Sequence, residues 1–271
     1  MIILNLDLIR ELEKVNFESQ LQLFLTTKLS YEHYDIYLSD YIEDSLWNIT
    51  TNINYNDIKY LKKDYVNIKN IFNKYNREPV LYFTPSSNLY DKRDNIELEK
   101  IYTDSWLLLD NLKDYPEYES ILDINIKQVT KGDMEDYIEA ISNGFSSEDP
   151  DYPYEGLTEG YKQTFRNNIL DNKLKKYKNE HYIAKYDDQV VGTMTVNRNN
   201  KIAFLYNITT NRNYKKRGIC KELISYIVKK LDNENIKYIC LLTEKECYTE
   251  QIYLKLGFKK IFEADAYKIN N

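Results

Sequence analysis

Residues 210–221 read Thr-Asn-Arg-Asn-Tyr-Lys-Lys-Arg-Gly-Ile-Cys-Lys, and this stretch decides how the rest of the chain is interpreted. An apolar strand is predicted just before it, over 203–209, and an amphipathic helix with Leu223, Ile227 and Leu231 on its inner face is predicted just after it. The first turn of a helix leaves N–H groups unpaired, and these groups bind anions with the help of the helix dipole. The pattern therefore predicts a pyrophosphate site where this helix begins.

Four cations surround the predicted site in a chain whose formal net charge is −6, namely Lys215, Lys216, Arg217 and Lys221. Gly218 would let the backbone approach a phosphate closely. The stretch contains neither the G-x-x-x-x-G-K-S/T pattern of a P-loop nor the G-x-G-x-x-G pattern of a dinucleotide-binding fold. On charge alone, a solvated basic helix start is the alternative interpretation.

Strands and helices alternate around this stretch. Periodicity predicts a strand over 122–129, helices from 130 and over 157–170, a three-strand meander at 182–186, 190–196 and 203–209, a helix over 218–231, a strand over 238–243, a helix over 249–256 and a last strand over 259–267. The order β-α-α-β-β-β-α-β-α-β predicts an α/β fold, with α and β elements mixed around one sheet.

Glycine content divides the chain. The first 131 residues contain no glycine, and all 7 glycines lie between Gly132 and Gly257. Because glycine supplies turns with positive φ and permits close approach to a ligand, we expect a ligand-binding loop only in the C-terminal part. The polar stretch 111–119 reads as a linker. We therefore predict two domains, 1–118 and 119–271.

The N-terminal part also reads as a mixture of helices and strands. After an amphipathic first helix we predict a helix at 65–75 and strands at 80–84 and 105–109, with a further helix between the two strands. The helix–strand–helix–strand order of 66–109 repeats that of 218–267, which indicates an internal duplication whose first copy has decayed.

Composition excludes several classes of protein. The chain has 271 residues, of which 42% are hydrophobic and 30% charged, which is enough for sizeable cores and too ordered for a disordered chain. A sequence pI of about 5.2 argues against general binding of nucleic acid or anionic membranes. The longest apolar runs, at 202–206 and 238–242, fall far short of the roughly 18 residues of a membrane span.

Cysteine and histidine usage indicates a reduced protein without a metal site. The three cysteines, Cys220, Cys240 and Cys247, form no C-x-x-C pair, and only two histidines are present. The first residues contain no basic segment followed by a cleavage site. We therefore expect a cytoplasmic protein without a metal, a nucleic-acid partner or a membrane partner.

Two motifs resemble signatures of the GNAT superfamily of N-acyltransferases. Residues 215–220 resemble its acyl-CoA-binding motif Q/R-x-x-G-x-G/A, and Thr210 and Tyr214 fit the segment that precedes it. Thirty-five residues after Gly218, the sequence 253–258 reads Tyr-Leu-Lys-Leu-Gly-Phe and resembles the Y-x-K-x-G-F signature at the end of the last helix. The order and spacing of the predicted elements agree with that fold as well.

The resemblance implies a GNAT-like fold in the C-terminal part and acetyl-CoA as a co-substrate. It implies that backbone groups of Ile208, Thr209 and Thr210 hold the pantetheine arm and the thioester. It places the pyrophosphate on a loop made of Lys215, Lys216, Arg217, Gly218, Ile219, Cys220 and Lys221. Tyr253 would protonate the departing CoA thiolate, a role that suits a phenol, which is protonated at neutral pH.

Several residues depart from the family pattern. Lys215 replaces the usual Arg or Gln, Cys220 replaces Gly or Ala, and Glu246 stands where an asparagine often begins the last helix. We expect Cys220 to be a small packed side chain, not a nucleophile. The strand segment 203–207, which often carries the general base, contains no Asp or Glu. The alternatives for the base are Tyr206, Asn207, a water relay or Glu244.

The N-terminal part resembles the degenerate first domain of two-domain GNAT proteins. The resemblance rests on 77–85 (Arg-Glu-Pro-Val-Leu-Tyr-Phe-Thr-Pro) followed by 106–110 (Trp-Leu-Leu-Leu-Asp). This part contains no glycine and no CoA loop, so the resemblance implies a structural or acceptor-shaping role.

An acidic, aromatic stretch predicts a cationic acceptor. Between 148 and 159 there is no Lys or Arg, and the stretch contains Glu148, Asp149, Asp151, Tyr152, Tyr154, Glu155 and Glu159. Carboxylates and aromatic faces attract cationic amines, although a merely solvated loop is the alternative. The resemblance thus implies an acetyl-CoA-dependent N-acetyltransferase acting on a small-molecule or peptide amine. The alternative is a non-catalytic CoA-binding sensor or interaction protein.

Overall fold

The computed structural model of this protein describes residues 5–145, 157–168 and 176–270. In them, eleven strands form one sheet. The strands are β1 (Thr27–Ser30), β2 (Asp35–Leu38), β3 (Ile49–Thr51), β4 (Val80–Phe83), β5 (Glu99–Leu109), β6 (Asn125–Gln128), β7 (Lys178–Tyr186), β8 (Gln189–Arg198), β9 (Ile202–Thr210), β10 (Tyr238–Glu244) and β11 (Lys259–Lys268). The α-helices are α1 (Leu6–Ser19), α2 (Ile58–Lys74), α3 (Met134–Gly144), α4 (Glu159–Asn168), α5 (Ile219–Asn233) and α6 (Tyr248–Lys255).

The predicted order of elements in the C-terminal part is confirmed. The chain there runs β6-α3-α4-β7-β8-β9-α5-β10-α6-β11, with boundaries within a few residues of the predictions. Leu223, Ile227 and Leu231, the predicted inner face of α5, are buried. Among the described residues, no helix is long and apolar enough to cross a membrane.

Three predictions for the N-terminal part were wrong in detail. Strand β5 begins at Glu99, not near residue 105, because pairing with β11 extends it through exposed polar residues that hide the strand pattern. The helix predicted before it is only a 3₁₀ turn, Tyr90–Asn95. Helix α2 also begins earlier than predicted, because the side chain of Asp57 accepts a hydrogen bond from the Lys59 amide and caps the helix there.

Strand β5 lies between β10 and β11 and is antiparallel to both. Leu107 pairs with Leu241 on one side and with Lys260 on the other. Strand β11 in turn pairs with β4, where Tyr267 faces Leu81. Each half of the chain therefore places a strand among the strands of the other half, and the sheet is continuous. The division at residue 118 stays a prediction from the sequence.

Both halves contain a β-α-β unit with adjacent parallel strands. In the C-terminal half, α5 connects β9 to β10, and in the N-terminal half, α2 connects β3 to β4. The N-terminal pair is held by a single residue pair, Thr50 with Leu81. The first helix and strand of the order predicted to repeat between 66–109 and 218–267 belong to these two units, and the second helix of the first copy is only the 3₁₀ turn. The internal duplication stays a prediction.

Helices α5 and α1 pack on opposite faces of the central strands of the sheet. Helix α5 packs closely on one face because β8 carries Gly192: a Cβ there would lie 2.8 Å from Ile219 Cγ2 and 2.9 Å from Leu223 Cδ1. On the other face, Leu12 and other apolar residues of α1 pack against a buried cluster that contains Trp106. Between these two helices, β9 and β10 are paired over only three residue pairs, and the sheet opens beyond them.

Candidate active site

Strands β9 and β10 run parallel and then separate. Their pairing consists of three residue pairs and ends with Phe204 opposite Cys240, although β9 continues to Thr210 and β10 to Glu244. The opening contains a cavity of about 710 Å³, lined by residues from both faces of the sheet and from both halves of the chain. A cleft of this size and depth is where a ligand-binding site is expected.

A bulge in β9 turns the end of the strand toward this cavity. The register with β8 shifts between Thr193 and Thr195, and Asn207 adopts a positive φ of 51°. The hydroxyl of Thr193 donates a hydrogen bond of 2.9 Å to the Asn207 carbonyl oxygen, and the Asn207 side chain donates one of 2.9 Å to Thr195 Oγ1. These contacts fix Ile208 and the next two residues at the cavity wall, and they assign the Asn207 amide to the bulge.

The basic loop curves around the other end of the cavity. Lys216 and Gly218 adopt left-handed conformations, with φ of 62° and 90°. Backbone turns of this kind direct successive N–H groups toward one point and form anion-binding concavities. Helix α5 begins at Ile219, as predicted, and its first backbone bond runs from the Glu222 amide to the Gly218 carbonyl oxygen. The loop thus has the backbone shape and the charge of a phosphate site.

The structure brings together ten of the eleven predicted site residues around the cavity. Arg217 is the exception and does not line the cavity. Its carbonyl oxygen accepts hydrogen bonds from the Ser120 hydroxyl (2.8 Å) and the Ile121 amide (3.0 Å). The residues that line the cavity are Ile208, Thr209, Thr210, Lys215, Lys216, Gly218, Ile219, Cys220, Lys221 and Tyr253.

The predicted linker and the residues after it pack along α5. The Tyr118 amide donates to Ser225 Oγ, and the Ser120 amide donates to a Glu222 carboxylate oxygen 2.7 Å away. A Cβ on Gly218 would lie 3.1 Å from Ser120 Cα and 3.2 Å from the Glu119 carbonyl oxygen. The packed segment therefore gives a second reason for glycine at position 218, besides the predicted approach of a phosphate.

Tyr253 lies on α6 with 8% of its surface exposed and borders the cavity. The chain turns back directly after this helix, because Gly257 adopts a φ of 90° and the Phe258 amide donates to the Tyr253 carbonyl oxygen. The tyrosine, glycine and phenylalanine of the second motif therefore form one local structure. Burial raises the pKa of the Cys220 thiol to about 12, which agrees with the predicted packed side chain.

The N-terminal half forms the opposite wall of the cavity. Aromatic side chains make up much of this wall, and the carboxylates of Asp44 and Asp104 lie among them. On β5, Asp104 is directly opposite Glu244 of β10. The Tyr82 hydroxyl donates a 2.8 Å hydrogen bond to Asp104 Oδ2 and accepts one from Trp106 Nε1. The aromatic residues of the wall are Phe17, Trp47, Tyr82 and Tyr102.

Asp104 has an unusual electrostatic environment. Burial raises its pKa to about 7, the carboxylates of Glu244 and Asp265 act in the same direction, and the hydrogen bond from Tyr82 opposes them. The sequence analysis missed this residue. A signal was present, because a charged residue at 104 shares its strand face with the buried Trp106 and Leu108.

The other predicted candidates have different positions. The Tyr206 hydroxyl donates to Asn16 Oδ1, and burial raises the pKa of this phenol. Glu244 lines the cavity at the exposed end of β10. Of the acidic stretch, 148–156 lies outside the described residues, and Glu159 forms an ion pair of 2.8 Å with Arg166 on the surface of α4.

Comparisons with known proteins agree with this architecture. Residues 148–269 match the family model of the acetyltransferase (GNAT) domain. A GCN5-related N-acetyltransferase from Kribbella flavida is similar over 96% of this chain and 95% of its own, with 10% identity and a TM-score of 0.69. A functionally unknown conserved protein from Staphylococcus epidermidis ATCC 12228 is similar over 90% and 94%, with 16% identity and a TM-score of 0.66. No curated protein matches the sequence.

A tandem GNAT protein from the clavulanic acid biosynthesis pathway is also similar, over 95% of this chain and 88% of its own, with 10% identity and a TM-score of 0.61. At these identities the solved structures show the fold alone. Together, the fold and the sequence match indicate an acetyltransferase (GNAT) domain at 148–269. Residues 148–269 match the GNAT family model, and the fold is similar to that of a tandem GNAT protein over 95% of this chain. The predicted family and fold class are confirmed.

Proposed function

We propose that this protein is an N-acetyltransferase that moves the acetyl group of acetyl-CoA to a primary amine by direct attack. One observation carries the proposal: a single cavity connects the basic start of α5, through the opening between β9 and β10, to a wall of aromatic and acidic side chains. Two substrates that enter from opposite faces of the sheet would meet in this opening.

The residues at the first end fit the CoA part of the substrate. The left-handed turns at Lys216 and Gly218, the first N–H groups of α5 and the ammonium groups of the loop suit a pyrophosphate. The edge of β9 that faces β10 has no strand partner after Phe204 among the described residues. Its backbone groups would pair with the two amides of a pantetheine arm, because buried backbone groups need hydrogen-bond partners.

The chemical steps follow from this arrangement. The lone pair of a neutral amine forms the C–N bond to the thioester carbonyl carbon, and the C–S bond breaks with its electron pair on sulfur. The Tyr253 hydroxyl donates its proton to that sulfur and recovers one from solvent, while the surplus proton on nitrogen leaves to solvent. Holding both substrates in one cavity supplies the proximity that this reaction needs.

The far wall fits a cationic acceptor. Aromatic faces of Trp47, Tyr82 and Tyr102 stand beside the carboxylates of Asp44 and Asp104 in the same cavity. Carboxylates attract an ammonium group by Coulomb interaction, and aromatic rings add cation–π attraction. We include a small-molecule or peptide amine with a positive charge in the proposal on this ground.

Acetyl-CoA is expected to raise the melting temperature of the protein and to release CoA when a suitable amine is added. At a ligand concentration 100 times Kd, binding stabilises the folded state by about 2.7 kcal/mol. Thermal unfolding followed by fluorescence would measure the shift, and thiol release with spermidine, tyramine and a lysine peptide would measure turnover. Absence of a shift at saturating acetyl-CoA contradicts the proposal. Binding without turnover of any amine would favour the alternative, a CoA-binding sensor.

Gly218→Ala is expected to destabilise the fold by about 1–2 kcal/mol, because alanine is strained at a φ of 90°. The new methyl group would also press on Ser120 and distort the loop. We expect affinity for acetyl-CoA to fall by about tenfold. Calorimetric titration would measure the affinity and urea unfolding the stability.

Gly132→Ala is the matched control for this change. Its nearest neighbour would be Thr130 Oγ1 at 3.9 Å, and its backbone has no positive φ. If the two alanine variants had the same stability and the same affinity for acetyl-CoA, the role assigned to the Gly218 turn would be wrong.

A further inference from the structure

Asp104 is the most deeply buried carboxylate on the far wall of the cavity. Only 9% of its surface is exposed, and it reaches the cavity from β5, the strand that the N-terminal half inserts beside β10. Its Oδ2 accepts the hydrogen bond from Tyr82. Within the described residues, no hydrogen bond to its Oδ1 is found, so one carboxylate oxygen is available to a ligand in the cavity.

The other candidate bases are less suitable. Strand segment 203–207 of β9 contains no carboxylate. Tyr206 is partly buried and its hydroxyl donates to Asn16, and the Asn207 amide holds the β9 bulge. Glu244 stands opposite Asp104 in register but at the exposed end of β10. Of the candidates among the described residues, Asp104 alone combines burial, a second carboxylate oxygen and a place in the cavity.

We propose that Asp104 is the base that takes a proton from the ammonium group of the acceptor. This inference rests on the proposed function, and it assigns a catalytic role to the half of the chain that lacks the CoA loop. The ammonium N–H bond breaks, its electron pair stays on nitrogen, and the proton goes to Asp104. The neutral amine then attacks the thioester, and Asp104 releases its proton to solvent after the product leaves.

The groups around Asp104 suit this role. Tyr82 of β4 donates to it, Tyr102 lies two residues away on the same strand, and Glu244 of β10 and Asp265 of β11 are the nearby carboxylates. Burial and these carboxylates bring the pKa of Asp104 to about 7, and a general base works best when its pKa is near the working pH. The charge of Asp265 is compensated by Arg93 and by Lys100, whose Nζ is 3.2 Å away.

The test compares acceptors that need a base with one that does not. Spermidine and tyramine are ammonium ions at neutral pH, whereas hydroxylamine is largely uncharged there. We expect Asp104→Asn to lower kcat/KM about 100-fold for the two ammonium acceptors and at most a few-fold for hydroxylamine. The melting-temperature shift caused by acetyl-CoA reports whether this variant is folded and still binds the co-substrate.

Tyr82→Phe provides a readout that a structural role would not produce. Removing the hydrogen bond from Tyr82 removes an influence that lowers the pKa of Asp104. The rise of kcat/KM with pH should therefore move to higher pH in Tyr82→Phe. In Asp104→Asn the same rise should disappear from the profile.

Each outcome decides between the proposals. If wild type acetylates amines but Asp104→Asn is unaffected, or loses the same factor with hydroxylamine, the inference is wrong and the proposed function stands. If Glu244→Gln, and not Asp104→Asn, removes the pH dependence, Glu244 is the base and the inference is again wrong. If wild type neither binds acetyl-CoA nor acetylates any of these acceptors, the proposed function fails, and the role of Asp104 fails with it.

Discussion

Tyr253→Phe is expected to lower kcat for acetyl transfer by about 100-fold or more, because a positioned general acid contributes roughly 10²-fold to 10⁴-fold. The substitution deletes one hydroxyl and keeps the ring that packs against Phe258. We therefore expect Kd for acetyl-CoA and the melting temperature to change little. Thiol release under saturating acetyl-CoA would measure kcat, and calorimetric titration would measure Kd.

Tyr226→Phe is a suitable control for this experiment. Tyr226 lies on α5 with 42% of its surface exposed and does not line the cavity. It should have the turnover rate of wild type. A wild-type rate for Tyr253→Phe as well would show that the thiolate leaves without this phenol, and a large loss of acetyl-CoA affinity would assign Tyr253 to binding instead of proton transfer.

Asp104→Asn is expected to make the protein more stable at neutral and alkaline pH, by up to about 4 kcal/mol. The pKa of Asp104 rises from the ordinary value of 3.8 to about 7 in the folded chain. Between these two values the folded state holds a proton that the unfolded state has lost. The free energy of unfolding contributed by this group therefore falls as the pH rises through this window, and the asparagine variant avoids the loss.

Urea unfolding of wild type and variant across this pH range would measure the effect as a difference, in which the other titrating groups cancel. The stability difference should be near zero below the unfolded pKa, grow with pH and become constant above about pH 7. Glu13, whose pKa burial also raises to about 7, is common to both proteins.

Asp265→Asn is the matched control, because Asp265 lies on the neighbouring strand and its pKa is shifted in the opposite direction. Burial opposes the charge of Asp265, but the hydrogen bonds from Thr103 and Arg93 prevail and lower its pKa. Its replacement should destabilise the protein at neutral pH and have less effect in acid. Equal stability of wild type and Asp104→Asn at every pH would mean that Asp104 ionises normally.

The features predicted best from the sequence are those that depend on residues close together in the chain. The start of α5 and the end of α6 are local structures, in which Gly218 and Gly257 supply left-handed turns beside amphipathic helices. The cavity-lining positions on β9 were implied by the resemblance to the GNAT family. Apart from Arg217, the predicted loop residues and Tyr253 lie around one cavity.

The partner of β5 could not be predicted in this way. Strand β5 pairs with residues 239–244 and 259–268, so its position depends on contacts between distant parts of the chain. The first residues of β5 are polar and exposed, and they become a strand only through these neighbours. Asp104 was missed for the same reason, because its place in the cavity exists only once β5 lies beside β10.

The insertion of β5 between β10 and β11 also determines when folding can finish during synthesis. Leu109 leaves the ribosome 129 residues before Tyr238. At 5–20 residues per second, that delay is roughly 6 to 26 s. Throughout it, the apolar run 106–109 lacks both neighbouring strands, and unpaired apolar strand edges promote aggregation. Until β10 and β11 have been translated, the nascent N-terminal half therefore avoids aggregation only if misassembly is slow or if chaperones cover the unpaired strand.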